Sequence, residues 1–146
     1  MNTMANVIEL PNGLQYTRIH YKPWNWFVGG RPSRYRVERL ITYKSAIFGQ
    51  AFEGNHYRMD LAGLITAYVL FEWDGATYGI DTKNFMRASL FHDILCDAID
   101  EGLLHPLFQP DVDQLLYDIC RKDKMSYIRA QHAYRWVRGF QTIKHM

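Results

Sequence analysis

Asp81-Thr-Lys-Asn-Phe-Met-Arg-Ala-Ser-Leu-Phe-His-Asp-Ile-Leu-Cys-Asp-Ala-Ile-Asp-Glu-Gly102 is the stretch in which this sequence changes its period. Upstream, apolar residues alternate. Here they recur every three or four positions, so that Phe85, Ala88, Phe91/His92, Leu95 and Ile99 share one stripe of a helix. Asp81 or Thr82 can cap its N-terminus, and Gly102 stops it at about Glu101. A loop over Leu103–Gln109 contains Pro106. Pro110 suits the first turn of a second helix, with Asp111 and Asp113 near its positive end and Val112, Leu115, Leu116 and Ile119 as its core stripe. Ser126 can cap a third helix that runs to about Lys144, with Tyr127, Ala130, Tyr134, Val137 and Phe140 inward.

Toward the N-terminus the pattern reads as strands. Tyr35–Tyr43 alternates, placing Tyr35, Val37, Arg39, Ile41 and Tyr43 on one face. A second strand is expected over Ala51–Met59, after a turn at Gly49. Leu64–Trp73 is rich in β-formers and ends at the turn signal Asp74-Gly75, although its apolar positions also fit a short helix. Strands first and helices last predict an α+β domain over residues 35–146: a small antiparallel β-sheet in the N-terminal half packed on about three C-terminal α-helices. Residues 1–34 read as an extended arm or loop, with a possible strand beside the turn Pro11-Asn12-Gly13. Within it Trp24, Trp26 and Phe27 are candidates for a contact surface, or else cap the end of the sheet.

A chain of 146 residues, 48% hydrophobic and 15% aromatic, can bury a core of its own. The net charge of +2 hides a segregation: residues 1–60 hold eight Lys/Arg against four Asp/Glu, residues 61–120 two against ten, and residues 121–146 seven against one. The basic tail, with Arg129, Arg135 and Arg138, suits nucleic acid or an acidic partner, or folds back on the protein's own acidic helices; the near cancellation favours the last. Two cysteines, Cys96 and Cys120, each in an expected helix, suggest reduced thiols rather than a disulfide framework. Met1–Leu10 lacks a signal-peptide pattern, and the longest apolar run, Leu61–Phe71, is about half of what a membrane span needs.

The residues with chemical potential cluster at the helices. His92 and Asp93 are adjacent, and His92 lies one turn from Cys96 on the same face. If the first two helices form an antiparallel hairpin, His92 can face Asp113 or Cys120. A histidine held by a carboxylate is the general-base arrangement that activates water, and it is also a common satisfied core histidine. A zinc set of His92, Cys96 and Cys120 lacks the usual paired spacing. An HD-type phosphohydrolase would need an upstream histidine on a helix, and His56 falls in a strand-like segment. The sequence holds no EF-hand loop, P-loop, GxGxxG or recognisable nucleophile motif. No metal and no cofactor is expected from it.

A set of short motifs runs through residues 35–140: Tyr43-Lys44-Ser45, Tyr57-Arg58-Met59-Asp60-Leu61-Ala62-Gly63, Ala88-Ser89-Leu90-Phe91-His92-Asp93, Asp113 opening the Leu115-Leu116-Tyr117 segment, and Ala133-Tyr134-Arg135-Trp136-Val137-Arg138-Gly139. In that order they resemble a family of small bacteriophage and prophage proteins of uncharacterised function, whose pattern is Thr-Asp-Leu-Ala-Ser-Ile-Pro, then Ala-x-x-x-His-Asp-x-Leu-Tyr, then an Asp-led helix. This chain departs from it at Met59, Gly63 and Cys96, where the family has Thr, Ser and Tyr. The resemblance implies that Asp60, His92, Asp93 and Asp113 converge. It also implies a phage protein located in the virion or the host cytoplasm. The first expectation is a structural or assembly component (tail, neck or capsid-associated) that contacts other phage structural proteins or further copies of itself. A small hydrolase using His92 with Asp113 or Asp93, and Asp60 as a possible metal ligand, is the alternative. A regulator binding a host protein or nucleic acid is the third.

Overall fold

The computed structural model describes residues 6–19, 34–75 and 82–144, with side chains to Phe140. Trp24, Trp26 and Phe27 lie outside the described residues. Among the described residues eight strands precede three α-helices: β1 (Ile8–Glu9), β2 (Gln15–Ile19), β3 (Arg34–Val37), β4 (Ile41–Lys44), β5 (Phe52–Gly54), β6 (Tyr57–Met59), β7 (Leu64–Ala67), β8 (Glu72–Asp74), α1 (Lys83–Asp100), α2 (Gln109–Lys122) and α3 (Tyr127–Lys144). The architecture is α+β. The single expected sheet is two four-stranded antiparallel sheets, ordered β1-β2-β3-β8 and β4-β7-β6-β5.

Each long strand read from the sequence is broken. Tyr35–Tyr43 becomes β3 in one sheet and β4 in the other, with Arg39 and Leu40 exposed at the corner. Leu64–Trp73 splits in the same way into β7 and β8, and Leu70 takes φ 84° at the turn. Two hydrogen bonds tie the paired corners, from the Val37 N–H to the Phe71 carbonyl (2.8 Å) and from the Leu70 N–H to the Val37 carbonyl (2.9 Å). Alternation survives a change of sheet, so side-chain periodicity alone does not reveal the corner. Ala51–Met59 is likewise a hairpin, with His56 at φ 71° in its turn.

Residues 6–19, expected within an arm, supply β1 and β2; Leu10, Leu14 and Tyr16 enter the same core as β3 and the helices. Trp73 lies at the centre of that core, fully buried. Its ring centroid is 5.5 Å from that of Tyr35 and 6.0 Å from that of Tyr16, and its indole N–H donates to Ser89 Oγ at 3.0 Å. That bond satisfies the only polar group of a large buried ring and fixes α1 over the first sheet. The second sheet reaches α1 through Tyr43 against Phe91 (5.6 Å) and through the Tyr57 hydroxyl, which donates to Asp97 Oδ2 at 2.6 Å.

The helices follow their expected bounds closely. Thr82 occupies the N-cap position of α1, but its hydroxyl does not cap; it donates to Asn84 Oδ1 (2.6 Å). Gly102, at φ 76°, closes α1 with bonds from the Gly102 N–H to Ile99 O and from the Leu103 N–H to Ala98 O. Lys124, at φ 70°, closes α2 in the same way, with its own N–H on Arg121 O and that of Met125 on Cys120 O. The expected inner face of α3 is corrected. Ala130, Ala133 and Val137 are buried, whereas Tyr127 and Phe140 face outward. Two alanines and a valine bring α3 close against α2, and so narrow a contact leaves the flanking aromatics outside it.

Candidate functional site

The turn after α1 returns the chain through a short 3-10 segment, Pro106–Phe108, into α2. This hairpin brings the middle of α1 against the first turns of α2, and Asp113 there is completely buried. Its Oδ1 accepts from His92 Nε2 at 2.7 Å and from Gln109 Nε2 at 3.0 Å. Its Oδ2 accepts from Arg138 Nη1 of α3 at 2.7 Å. One carboxylate therefore ties all three helices together. A buried carboxylate without such donors would be neutralised or expelled.

The charge states follow from this geometry. Burial works against the His92 imidazolium, but the neighbouring Cys96 sulfur and the Asp113 carboxylate outweigh it and push its pKa up to about 10. Burial works against the Asp113 carboxylate too, and its hydrogen bond from His92, the His92 charge, Gln109 and Arg138 bring its pKa below the usual value. Near neutral pH the pair is imidazolium and carboxylate. A charged His92 whose Nε2 proton is committed to Asp113 has no basic nitrogen facing a water, so the arrangement suits a clamp better than a general base.

Cys96 Sγ lies 3.7 Å from His92 Nδ1 and 3.8 Å from Nε2. A sulfur in line with one ring N–H would be clearly farther from the other nitrogen. The near-equal distances place it off both proton axes, so the thiol is a packing and electrostatic neighbour of the ring and not a relay partner. Gln109 Nε2 reaches the same sulfur at 3.6 Å.

The other expected site residues are dispersed. Asp60 does not join the cluster through any of its hydrogen bonds. Its Oδ1 accepts from the Ala62 N–H (3.0 Å) and the Leu64 N–H (2.9 Å), which makes it the organiser of the turn into β7. Asp93 lies on the flank of α1, half-buried near Asp74 of β8. Burial pushes its carboxyl up to about 6, with the Asp74 charge adding to this and the His92 charge opposing it. The convergence of Asp60, His92, Asp93 and Asp113 is thus reduced to His92 with Asp113. Arg129 Nη2 donates to Thr82 Oγ1 at 3.0 Å, Arg135 is exposed on α3, and Arg138 belongs to the clamp. Among the described residues, no group of three or more His, Cys, Asp or Glu is placed to hold a metal ion.

The Asp93 geometry makes a prediction. A folded-state pKa near 6 against an unfolded value near 3.8 means that folding opposes ionisation. The cost is absent below the lower value and complete above the upper one. Asp93→Asn is expected to stabilise the protein by about 1–3 kcal/mol at pH 8, with the gain fading as the pH falls toward 4. Urea titrations of both proteins at the two pH values measure it, and an equal gain at both would reject the ionisation argument.

Two contributors are absent from the sequence reading. Gln109 is an ordinary polar residue whose position one turn before Asp113 is its only signal. The second is a network in which Arg87 Nε and Nη2 hold both oxygens of Asp123 (3.0 and 2.8 Å), while Asn12 Nδ2 also donates to Asp123 Oδ2 (2.9 Å). Nothing in the sequence links residues 12, 87 and 123. The chain matches no family model, no curated protein and no solved structure.

Proposed function

We propose that this chain is a bacteriophage structural or assembly component that works through protein–protein contacts. The phage part of the reading rests on the motif resemblance, and the contact part on one observation, the outer face of α3. Ile128, His132, Trp136 and Phe140 follow one another at four-residue steps along that face. Ile128 is 71% exposed, Phe140 55% and Trp136 48%, and Tyr127 on the adjoining flank is 59% exposed. Large apolar side chains gathered on one helix face are a common mark of a contact surface. Arg135 lies on the same face and makes it basic.

The hydrolase alternative loses support because His92 is committed and charged. A further copy of this chain is the partner to test first, because its exposed acidic residues Glu101, Asp111 and Asp118 on and beside α1 and α2 complement a basic, apolar α3. Light scattering across a concentration series is expected to show self-association. Ile128→Asp is expected to raise the dissociation constant at least about tenfold, a loss of about 1.4 kcal/mol, without lowering the Tm. A wild-type protein that remains monomeric throughout would reject self-association through this face.

A further inference from the structure

On the side of the molecule where α1 begins and α2 ends, an open cleft of about 800 Å³ lies between these helix ends and the β1–β2 turn. We infer that it is a binding site for a small phosphate-bearing molecule of about nucleotide size, a reading independent of the α3 contact surface. The volume falls in the range of ligand pockets. Leu10 and Pro11 form an apolar wall, and the other walls carry Lys83, Arg87, Lys122 and Lys124. Four cations from the two helix ends converge on a cleft whose lining, among the described residues, includes one acid, Asp123.

That acid does not oppose an anion with a free charge. Both its oxygens are taken by the Arg87 fork, and Asn12 adds a third hydrogen bond. The Arg87 and Asp123 side chains are only 16% and 8% exposed, so the network is a rigid floor. Lys122 is also held, with Nζ 2.9 Å from the Tyr43 hydroxyl and 4.9 Å from the centre of its ring. Lys83 and Lys124 have no carboxylate partner among the described residues; Asp81, two positions before Lys83, lies outside them. They are the cations left to meet a ligand.

The local backbone agrees with this role. The start of α1 has neither a side-chain cap nor an acidic residue in its first turn, and Arg129 adds a further cation beside Thr82. At the other wall Lys124 holds the left-handed conformation in which glycine would be easier, so a lysine there retains its charge at a backbone cost. A lining that combines the apolar Leu10 and Pro11 with the ammonium groups of Lys83 and Lys124 fits a phosphate attached to a flat or apolar body better than a free inorganic ion.

The test is a titration of the full chain by amide NMR with AMP, with inorganic phosphate, and with single-stranded DNA of two lengths. The expected result is saturable AMP binding, with shifts concentrated at Leu10, Asn12, 82–87 and 122–124, at least about tenfold tighter than inorganic phosphate. The double variant Lys83→Gln/Lys124→Gln should weaken AMP binding by about tenfold or more at an unchanged Tm, since both side chains are exposed. The proposal is overturned by shifts that do not saturate, by AMP binding that the double variant leaves intact, or by inorganic phosphate binding as tightly as AMP. It is also overturned by DNA affinity that climbs with length and falls equally with Arg135→Gln, which would mark a diffuse basic surface.

Discussion

Asp113→Asn is expected to lower the free energy of unfolding by about 3–5 kcal/mol, the usual cost of removing one member of a buried ion pair. The substitution keeps the shape of the side chain and removes its charge. His92 is then left buried beside a neutral amide, and the Arg138 guanidinium loses its carboxylate. The asparagine Nδ2 must also face either the Arg138 donor or the donors of His92 and Gln109, because the parent carboxylate accepts on both oxygens. Urea denaturation at pH 7 measures the loss.

A pH series separates the clamp from simple packing. The His92 pKa is raised in the folded state from 6.5 to about 10. Its contribution to stability is therefore complete below pH 6.5 and is lost as the pH climbs toward 10. The parent protein should weaken across that interval, and Asp113→Asn should show a shallower dependence. Parallel pH profiles for the two proteins would mean that the pair carries no net electrostatic stabilisation. Arg138→Gln keeps His92 paired with Asp113 and provides a milder variant should Asp113→Asn fail to fold.

The second large effect is expected at Gly63, and it bears on the phage resemblance. Gly63 adopts φ 92°, and its carbonyl accepts from both the Ser45 N–H (2.9 Å) and the Ser45 hydroxyl (2.8 Å). A Cβ added there would collide with the Ile47 carbonyl oxygen and come within 3.0 Å of the Ser45 carbonyl. Gly63→Ser combines a left-handed backbone cost of about 1–2 kcal/mol with an overpacking cost of about 1–3 kcal/mol. A total loss of about 2–5 kcal/mol by the same denaturation assay follows. The serine of the family pattern does not fit this turn. A neutral Gly63→Ser variant would show that the turn can take the family's residue and conformation.

The helical half was largely legible because a helix is a local structure. Its stripes, the cap positions of Thr82 and Ser126, and the stop at Gly102 can all be read within a few residues of one another. The pairing of His92 with Asp113 was visible as one of two options once a hairpin was assumed. The choice between Asp113 and Cys120 was not, because it depends on how far α2 slides along α1. The strands were less legible, since alternation continues unbroken through Arg39 and Leu40 while the chain leaves one sheet for the other. The fully buried Asp113 also looked no different from the exposed Asp111 two residues earlier.

By itself, then, the sequence determined the α+β class, the three helices and the segregation of charge, because periodicity, caps and composition act over short spans of chain. Only the tertiary structure decided that two sheets replace one, that Asp60 spends its hydrogen bonds on the turn into β7, and that Arg138 completes a three-helix clamp. It alone assembled Asn12, Arg87, Lys122 and Lys124 around a single cleft. The reason is physical: desolvation and hydrogen-bond partners determine the charge and role of an ionisable group, and both are supplied by residues distant in the chain.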